Sequence, residues 1–415
     1  MAILYAKIAC FAKSDLSVHN GRMFGISKQK KRVYLDYAGA TPIVPEATKA
    51  VVANMRLFAN PSAIHTQAVE TAQSLTASRE RVAHHFGCKS RDIIFTSGGT
   101  ESNNLAVLGF ARSIVLTRQT LAHTHWIVSA IEHPSVLDCF GEVERLGGSV
   151  TFVEPNKKGI VAPDAIGRAL RPETVFVSVG WGNGEIGVVQ PLGHIARELR
   201  THEEKHKTKI IFHSDAGQAP LYEAAHVHSL GVDLLSLDAA KLYGPRGVGA
   251  LYVSERTELS RIMFGGSQER GLRAGTANVA LAAGFSVALD VVVQERTLES
   301  RRLRVLRDAF AQKLLTHIPG LVINGNLSES LPHILNISIP NIQGEYYVLA
   351  MDHAGFAVST KSACREGRES RSHVVEALGG EEWHAQNTIR FSLGRDTTER
   401  DLERTLEVLI SLCTH

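Results

Sequence analysis

The sequence predicts an α/β protein built on a mostly parallel, seven-stranded sheet, followed by a smaller α+β domain. Three observations carry that prediction. From Arg32 onward, short β-branched or apolar runs alternate with stretches of helical periodicity, the signature of strand–helix–strand units. Runs such as Val175-Phe176-Val177-Ser178-Val179 are nearly continuous in apolar character, as strands covered on both faces are. After about residue 285 the alternation stops and a long charged helix takes over.

Taken in order, the predicted strands are Asp92–Thr96, Trp126–Ala130, Ser149–Val153, Val175–Val179, Ile210–His213, Leu234–Leu237 and Gly249–Val253. Amphipathic helices fall between them at Ala63–Phe86, Ser102–Arg112, Pro134–Leu146 and Leu192–Lys205. The second part reads as a helix over Leu289–His317, a strand-like Leu331–Ile339, a helix from Glu345 and a closing helix from Thr398. The expected division is a large domain over 46–285 and a small one formed by 32–45 with 286–415. Residues 1–31 stand apart, with Lys7, Lys13, Arg22, Lys28, Lys30 and Lys31 against the single acid Asp15. Two readings of that segment stay open: an organelle transit peptide, which would place the protein in the mitochondrial matrix, or an unstructured extension of a cytoplasmic protein.

Composition excludes several classes. At 415 residues the chain has room for two or three domains at roughly 150 residues each. A net charge of +3 gives no electrostatic case for binding nucleic acid or a membrane surface. The most apolar stretch, Leu281 to Val293, is broken by Gly284, Ser286 and Asp290 and is too short to span a bilayer. Five scattered cysteines (Cys10, Cys88, Cys139, Cys364, Cys413) form neither a disulfide framework nor a metal-ligand spacing.

In a parallel sheet, ligands collect at the carboxyl ends of the strands, so the strand-to-helix loops are where chemistry is sought. Phe95-Thr96-Ser97-Gly98-Gly99-Thr100-Glu101 joins a strand to a helix through two glycines, a backbone cradle for an anion such as phosphate. Asp215 stands in the loop His213-Ser214-Asp215-Ala216-Gly217-Gln218 directly after a buried strand, either as a carboxylate awaiting a partner or as a helix N-cap. Lys241 lies between another buried strand and the turn Gly244-Pro245-Arg246-Gly247. A desolvated lysine has the lowered pKa that Schiff-base chemistry requires. Anion cradle, strand-end carboxylate and strand-end lysine together match the needs of pyridoxal phosphate (PLP).

These loops and several further segments resemble the cysteine desulfurases, the NifS/IscS-like group of the class-V aminotransferase superfamily. The resemblance runs in family order through Tyr34-Leu35-Asp36-Tyr37-Ala38, Asn60-Pro61-Ser62, Glu132-His133, Glu185-Ile186-Gly187, Gly265 to Thr276, Ser362-Ala363-Cys364 and Ile389-Arg390-Phe391. It implies the aspartate-aminotransferase-like PLP fold, fold type I, and conversion of L-cysteine to L-alanine. By resemblance, Lys241 would carry PLP and move the substrate proton, Asp215 would face the ring nitrogen, Gln218 the ring hydroxyl, and His133 would stack on the ring. Gly99 and Thr100 would hold the phosphate, with Thr276 joining from the other subunit of a homodimer. Arg390 and Asn183 would bind the substrate, and Cys364 would be the nucleophile that keeps the sulfur as a persulfide for an acceptor protein.

The chain also departs from the family. Asp238 and Ala240 stand where relatives carry a phosphate-binding serine and histidine, and Gly184 where they carry a second asparagine. An aspartate beside a phosphate repels it, so Asp238 is expected either to point away or to loosen PLP. Arg365, Glu366 and Gly367 follow Cys364 in place of small residues, and the chain stops soon after its closing helix, so docking to an iron–sulfur scaffold protein is not expected. Two alternatives remain beside the desulfurase reading: a selenocysteine lyase, and a weakly active or inactive homologue acting as a binding protein.

Overall fold

A computed structural model describes residues 32–224, 226–360 and 371–413. The N-terminal extension 1–31 and Cys364 lie outside the described residues.

The chain opens with β1 (Val33–Tyr34), α1 (Pro45–Asn54) and α2 (Thr66–Phe86). The alternation follows as β2 (Ile93–Thr96), α3 (Gly99–Arg118), β3 (His125–Ser129), α4 (Pro134–Arg145), β4 (Ser149–Val153), α5 (Pro163–Ala169), β5 (Thr174–Ser178), α6 (Leu192–His206), β6 (Ile211–Asp215), α7 (Val227–Leu230), β7 (Leu234–Asp238) and β8 (Gly249–Val253). The remainder is α8 (Val279–His317), β9 (Val322–Ile323), β10 (Ile334–Ser338), α9 (Gly344–His353), β11 (Phe356–Ala357), α10 (His373–Glu376), α11 (Glu382–Gln386), β12 (Thr388–Ser392) and α12 (Glu399–Cys413). Among the described residues no helix is long and apolar enough to cross a membrane.

All seven predicted strands form one sheet, in the order β2-β8-β7-β6-β5-β3-β4. Only β8 is reversed, pairing antiparallel with both β2 and β7, so the sheet is mostly parallel as expected. Successive residues of a strand point to opposite faces, and both faces are buried. Ile94, Trp126, Val128, Phe176, Ile211 and Leu251 pack beneath α3 and α4. Ile93, Phe95, Ile127, Val177, Phe212 and Leu235 pack into the larger core that also takes in α2, α6 and α8. Burial on both sides explains why these strands read as continuous apolar runs.

Beyond β8, the three-stranded sheet β12-β10-β9 is antiparallel, and β1 pairs in parallel with β11 some 320 residues away. That pairing returns the N-terminal segment to the C-terminal part of the chain, and an isolated bridge from Asp36 to Ser392 continues it. The long helix begins at Val279 rather than Leu289. Its first half is buried at Ala282, Ala283, Phe285, Ala288 and Leu289, and Gly284 faces α1, where an added Cβ would lie 2.4 Å from Val51. Small and apolar residues around most of its circumference erase the one-sided periodicity by which a helix is read.

Candidate active site

Five loops leave the carboxyl ends of parallel strands and enclose one cavity of about 220 Å³. Gly99, Thr100, His133, Asn183, Asp215, Gln218, Lys241 and Arg390 all line it, eight of the ten residues singled out from sequence. Thr276 does not: it is exposed and outside the cavity of its own chain. Cys364, the tenth, falls outside the described residues.

The glycine cradle forms at the end of β2. Gly98 adopts φ 156°, open to glycine, and α3 then starts at Gly99, three residues before the predicted Ser102. The turn is pressed onto β8, since a Cβ at Gly249 would fall 2.7 Å from the Gly98 backbone and 2.5 Å from the Leu237 carbonyl. Glu101 caps the turn by accepting from the Ser97 N–H at 2.7 Å and is itself held by Arg273 at 2.9 Å. Those two interactions hold the Glu101 carboxyl below its ordinary range, against the opposing effect of burial.

Asp215 ends β6, and both its oxygens are engaged: Oδ1 accepts from the Gly217 N–H at 2.8 Å and Oδ2 from Asn103 Nδ2 at 2.7 Å. Asn103 comes from the first turns of α3 and also donates to Ser135 Oγ at 2.9 Å. Two residues before Asp215, the buried His213 bridges Ser178 and Ser236 on the neighbouring strands at 2.9 and 3.0 Å, and burial lowers its pKa to about 4. His133 caps α4, its Nδ1 accepting from the Ser135 N–H at 3.1 Å.

Glu132, buried beside His133, accepts from the Gly180 N–H at 2.6 Å. Burial, reinforced by the Asp215 charge, pushes its carboxyl up to about 8. Burial thus favours the protonated form of Glu132 near neutrality. Glu132 and Asp36 were present in the motifs that carry the family resemblance and Asn103 lies two residues beyond the glycine loop, but nothing in their spacing marked them as parts of the site.

Lys241 follows β7, and its Nζ donates to the carbonyls of Ala38 (3.0 Å) and Gly39. Ala38 O also receives Gln218 Nε2 at 2.9 Å. Arg390 is buried on β12, with Nη1 donating to Gly184 O at 2.9 Å and Nη2 to Asp36 Oδ1 at 2.6 Å. Asn183 Oδ1 accepts from the N–H groups of Glu185 and Ile186, which folds the loop into the cavity wall.

Asp238 lines the cavity and does not turn away from it. Its Oδ1 caps the turn at Ala240 (2.9 Å), and Oδ2 lies 3.4 Å from where a Gly99 Cβ would stand. At Gly184 a Cβ would meet only Gln218 side-chain atoms, at 3.5 Å, so the missing side chain leaves room rather than relieving a clash.

A family model, aminotransferase class-V, matches residues 33–405. The cysteine desulfurase IscS of Dictyoglomus turgidum is 39% identical over 381 residues, covering 92% of this chain and 94% of that protein. The chain belongs to the class-V aminotransferases, among the cysteine desulfurases. The cysteine desulfurase IscS of Methanosarcina thermophila is 35% identical, with 95% of each chain covered. Among solved structures, a NifS-like protein superposes with TM-score 0.85 at 28% identity, over 92% of this chain and 99% of that one. SspA in complex with cysteine superposes with TM-score 0.74 at 31% identity, over 87% and 98%. The family to which the chain belongs generally depends on PLP.

The residues present fit that cofactor. The cavity offers an amine, a carboxylate with both oxygens fixed, and a glycine turn at a helix N-terminus. Gln218 Oε1 and Arg390 Nε, both buried, have no hydrogen-bond partner among the described residues. Buried polar atoms of that kind call for a ligand or water.

Proposed function

We propose that the chain is a PLP-dependent cysteine desulfurase that converts L-cysteine to L-alanine and leaves the sulfur as a persulfide on Cys364 for an acceptor. The observation that carries the reading is the convergence of Lys241, Asp215, His133 and Arg390 on one cavity from four separate segments. PLP, when bound, supplies the electron sink for bond cleavage at the substrate's α and β carbons.

The chain's own residues supply the rest. Gly99 and Thr100 at the start of α3 would hold the phosphate through backbone N–H groups and the helix dipole. Asp215, kept in place by Asn103 and Gly217, would face the ring nitrogen, while Gln218 would take the ring hydroxyl and His133 would stack on the ring. Lys241 would anchor the cofactor and carry a proton to or from the substrate's α carbon. Arg390, with Asn183 beside it, would bind the substrate carboxylate, which its planar fork suits. The Cys364 thiolate would attack the substrate sulfur; the carbon–sulfur bond breaks, its electrons stay with carbon, and a proton completes alanine. No external oxidant is needed. Thr276, exposed outside its own cavity, would reach the phosphate of a second copy in a homodimer.

The visible spectrum tests the reading, recorded on protein with added PLP, with and without L-cysteine. A band that shifts with L-cysteine and is missing in Lys241→Ala supports it, and Cys364→Ala should abolish alanine release from L-cysteine. Alanine release surviving in Cys364→Ala would overturn the persulfide route. If the parent protein processed selenocysteine and released no alanine from L-cysteine, the selenocysteine lyase reading would stand instead. Asp238 against the glycine turn favours a second reading, a weakly active or inactive homologue acting as a binding protein, and protein that stays colourless after PLP is added and the excess removed would support it.

A further inference from the structure

The arginine assigned to the substrate carboxylate already carries a carboxylate of its own chain. Arg390 is 2% exposed, and its Nη2 donates to Asp36 Oδ1 at 2.6 Å. A guanidinium buried to that degree requires a counter-charge.

Asp36 is placed by backbone geometry rather than by the ion pair alone. Ser392 N–H donates to Leu35 O at 2.8 Å, Tyr37 N–H to Ser392 O at 3.3 Å, and Ala38 N–H to Ser392 Oγ at 2.9 Å. The turn closes through Gly39 N–H to Asp36 O at 3.0 Å, and the side chain lies across Gly39, where a Cβ would fall 2.4 Å from Asp36 Oδ2. Only one oxygen of Asp36 reaches the guanidinium, and it takes one edge of one nitrogen. Gly184 O takes Nη1 from another direction. Nε, with no partner among the described residues, and the remaining Nη hydrogens are left for a second acceptor.

We infer that Asp36 is a positioning residue for the carboxylate clamp, fixing the plane of Arg390 so that its unused donors face the substrate; this rests on Arg390 being that clamp. The turn that carries Asp36 also presents the carbonyls that hold Lys241 and Gln218, so one N-terminal turn aligns amine, ring contact and clamp together.

The test uses PLP-loaded Asp36→Ala, Asp36→Asn and Arg390→Ala. Cofactor occupancy is read from the absorbance, KM and kcat from L-cysteine turnover, and product affinity from spectral titration with L-alanine. Loss of one charged hydrogen bond predicts that KM and the alanine dissociation constant rise about tenfold in Asp36→Ala, with kcat within about threefold. Asp36→Asn retains an acceptor oxygen and should fall between parent and Asp36→Ala. An unchanged or lowered alanine dissociation constant in Asp36→Ala overturns the inference, the lowered case meaning that Asp36 competes with substrate. A fall in kcat at constant KM overturns it too. If Asp36→Ala does not fold, Asp36→Asn decides: a rise of about threefold in the alanine constant supports positioning, and no rise overturns it. Arg390→Ala leaving both constants unchanged would instead overturn the clamp reading itself.

Discussion

Replacing Glu132 with glutamine should change how the stability of the protein depends on pH. Glu132 is buried, and burial with the nearby Asp215 charge raises its carboxyl from 4.5 to about 8. Between those values the folded state holds one proton that the unfolded state has released, so stability falls as pH rises through this window. Glu132's contribution is fully present below pH 4.5 and lost by about pH 8. A rise of that size corresponds to about 5 kcal/mol at the upper limit, and relaxation of the site will reduce it. Glutamine keeps an oxygen for the Gly180 N–H, bonded at 2.6 Å in the parent, and does not ionise. Urea denaturation of parent and Glu132→Gln at about pH 5, 6.5 and 8.5 gives the difference between them and cancels every other titrating group. The variant should gain on the parent steadily, by about 2 kcal/mol or more at the highest pH. A difference that stays constant across the series would refute a neutral Glu132.

Two further substitutions probe the anion cradle. Gly249→Ala pushes a methyl group into the Gly98 backbone, where the Cβ has only 2.7 Å, and should weaken PLP binding by about tenfold or more, read by equilibrium dialysis or fluorescence titration. Asp238→Ser keeps a cap for the Ala240 N–H and removes a negative charge beside Gly99, so PLP should bind about tenfold more tightly by the same assay. An unchanged constant in Asp238→Ser would mean that the carboxylate is screened from the phosphate.

The sheet was legible because its strands are buried on both faces and end in Gly and Asp turns; each observed strand starts and ends within two residues of its predicted bounds. The two-residue strands β1 and β11 were not, since a parallel pairing across some 320 residues leaves no local pattern. The start of α8 was misplaced for the opposite reason: Val279 to Leu289 is so uniformly small and apolar that no polar face marks it as helix. In the site, Lys241 and Asp215 showed themselves by standing at the ends of apolar strands, whereas His133 and Arg390 needed the family resemblance. Asn103 reaches Asp215 across 112 residues and Asp36 reaches Arg390 across 354, and such contacts exist only once the chain has folded. Glu132 could be read as a motif residue, but its raised pKa comes from burial, with the Asp215 charge adding to it, and both arise only in the folded chain.

Ser359 and Arg390 exchange backbone hydrogen bonds at 3.2 and 2.6 Å, while on the far side Ser372 donates to Glu185 and His373 Nε2 contacts the Glu132 carbonyl at 3.1 Å. Both ends of the stretch that carries Cys364 are thus tied to the walls of the cavity. Cys364 lies four residue steps from Thr360, a reach of at most about 14 Å. Joining a reactive group to its target through so short a length of chain gives it an effective concentration on the order of millimolar. With Cys364 as the nucleophile proposed above, sulfur leaving the substrate would meet the chain's own cysteine before a dilute external thiol. Any acceptor would then draw from the persulfide and not from the cavity, and the identity of the acceptor could change without changing the chemistry of the first step.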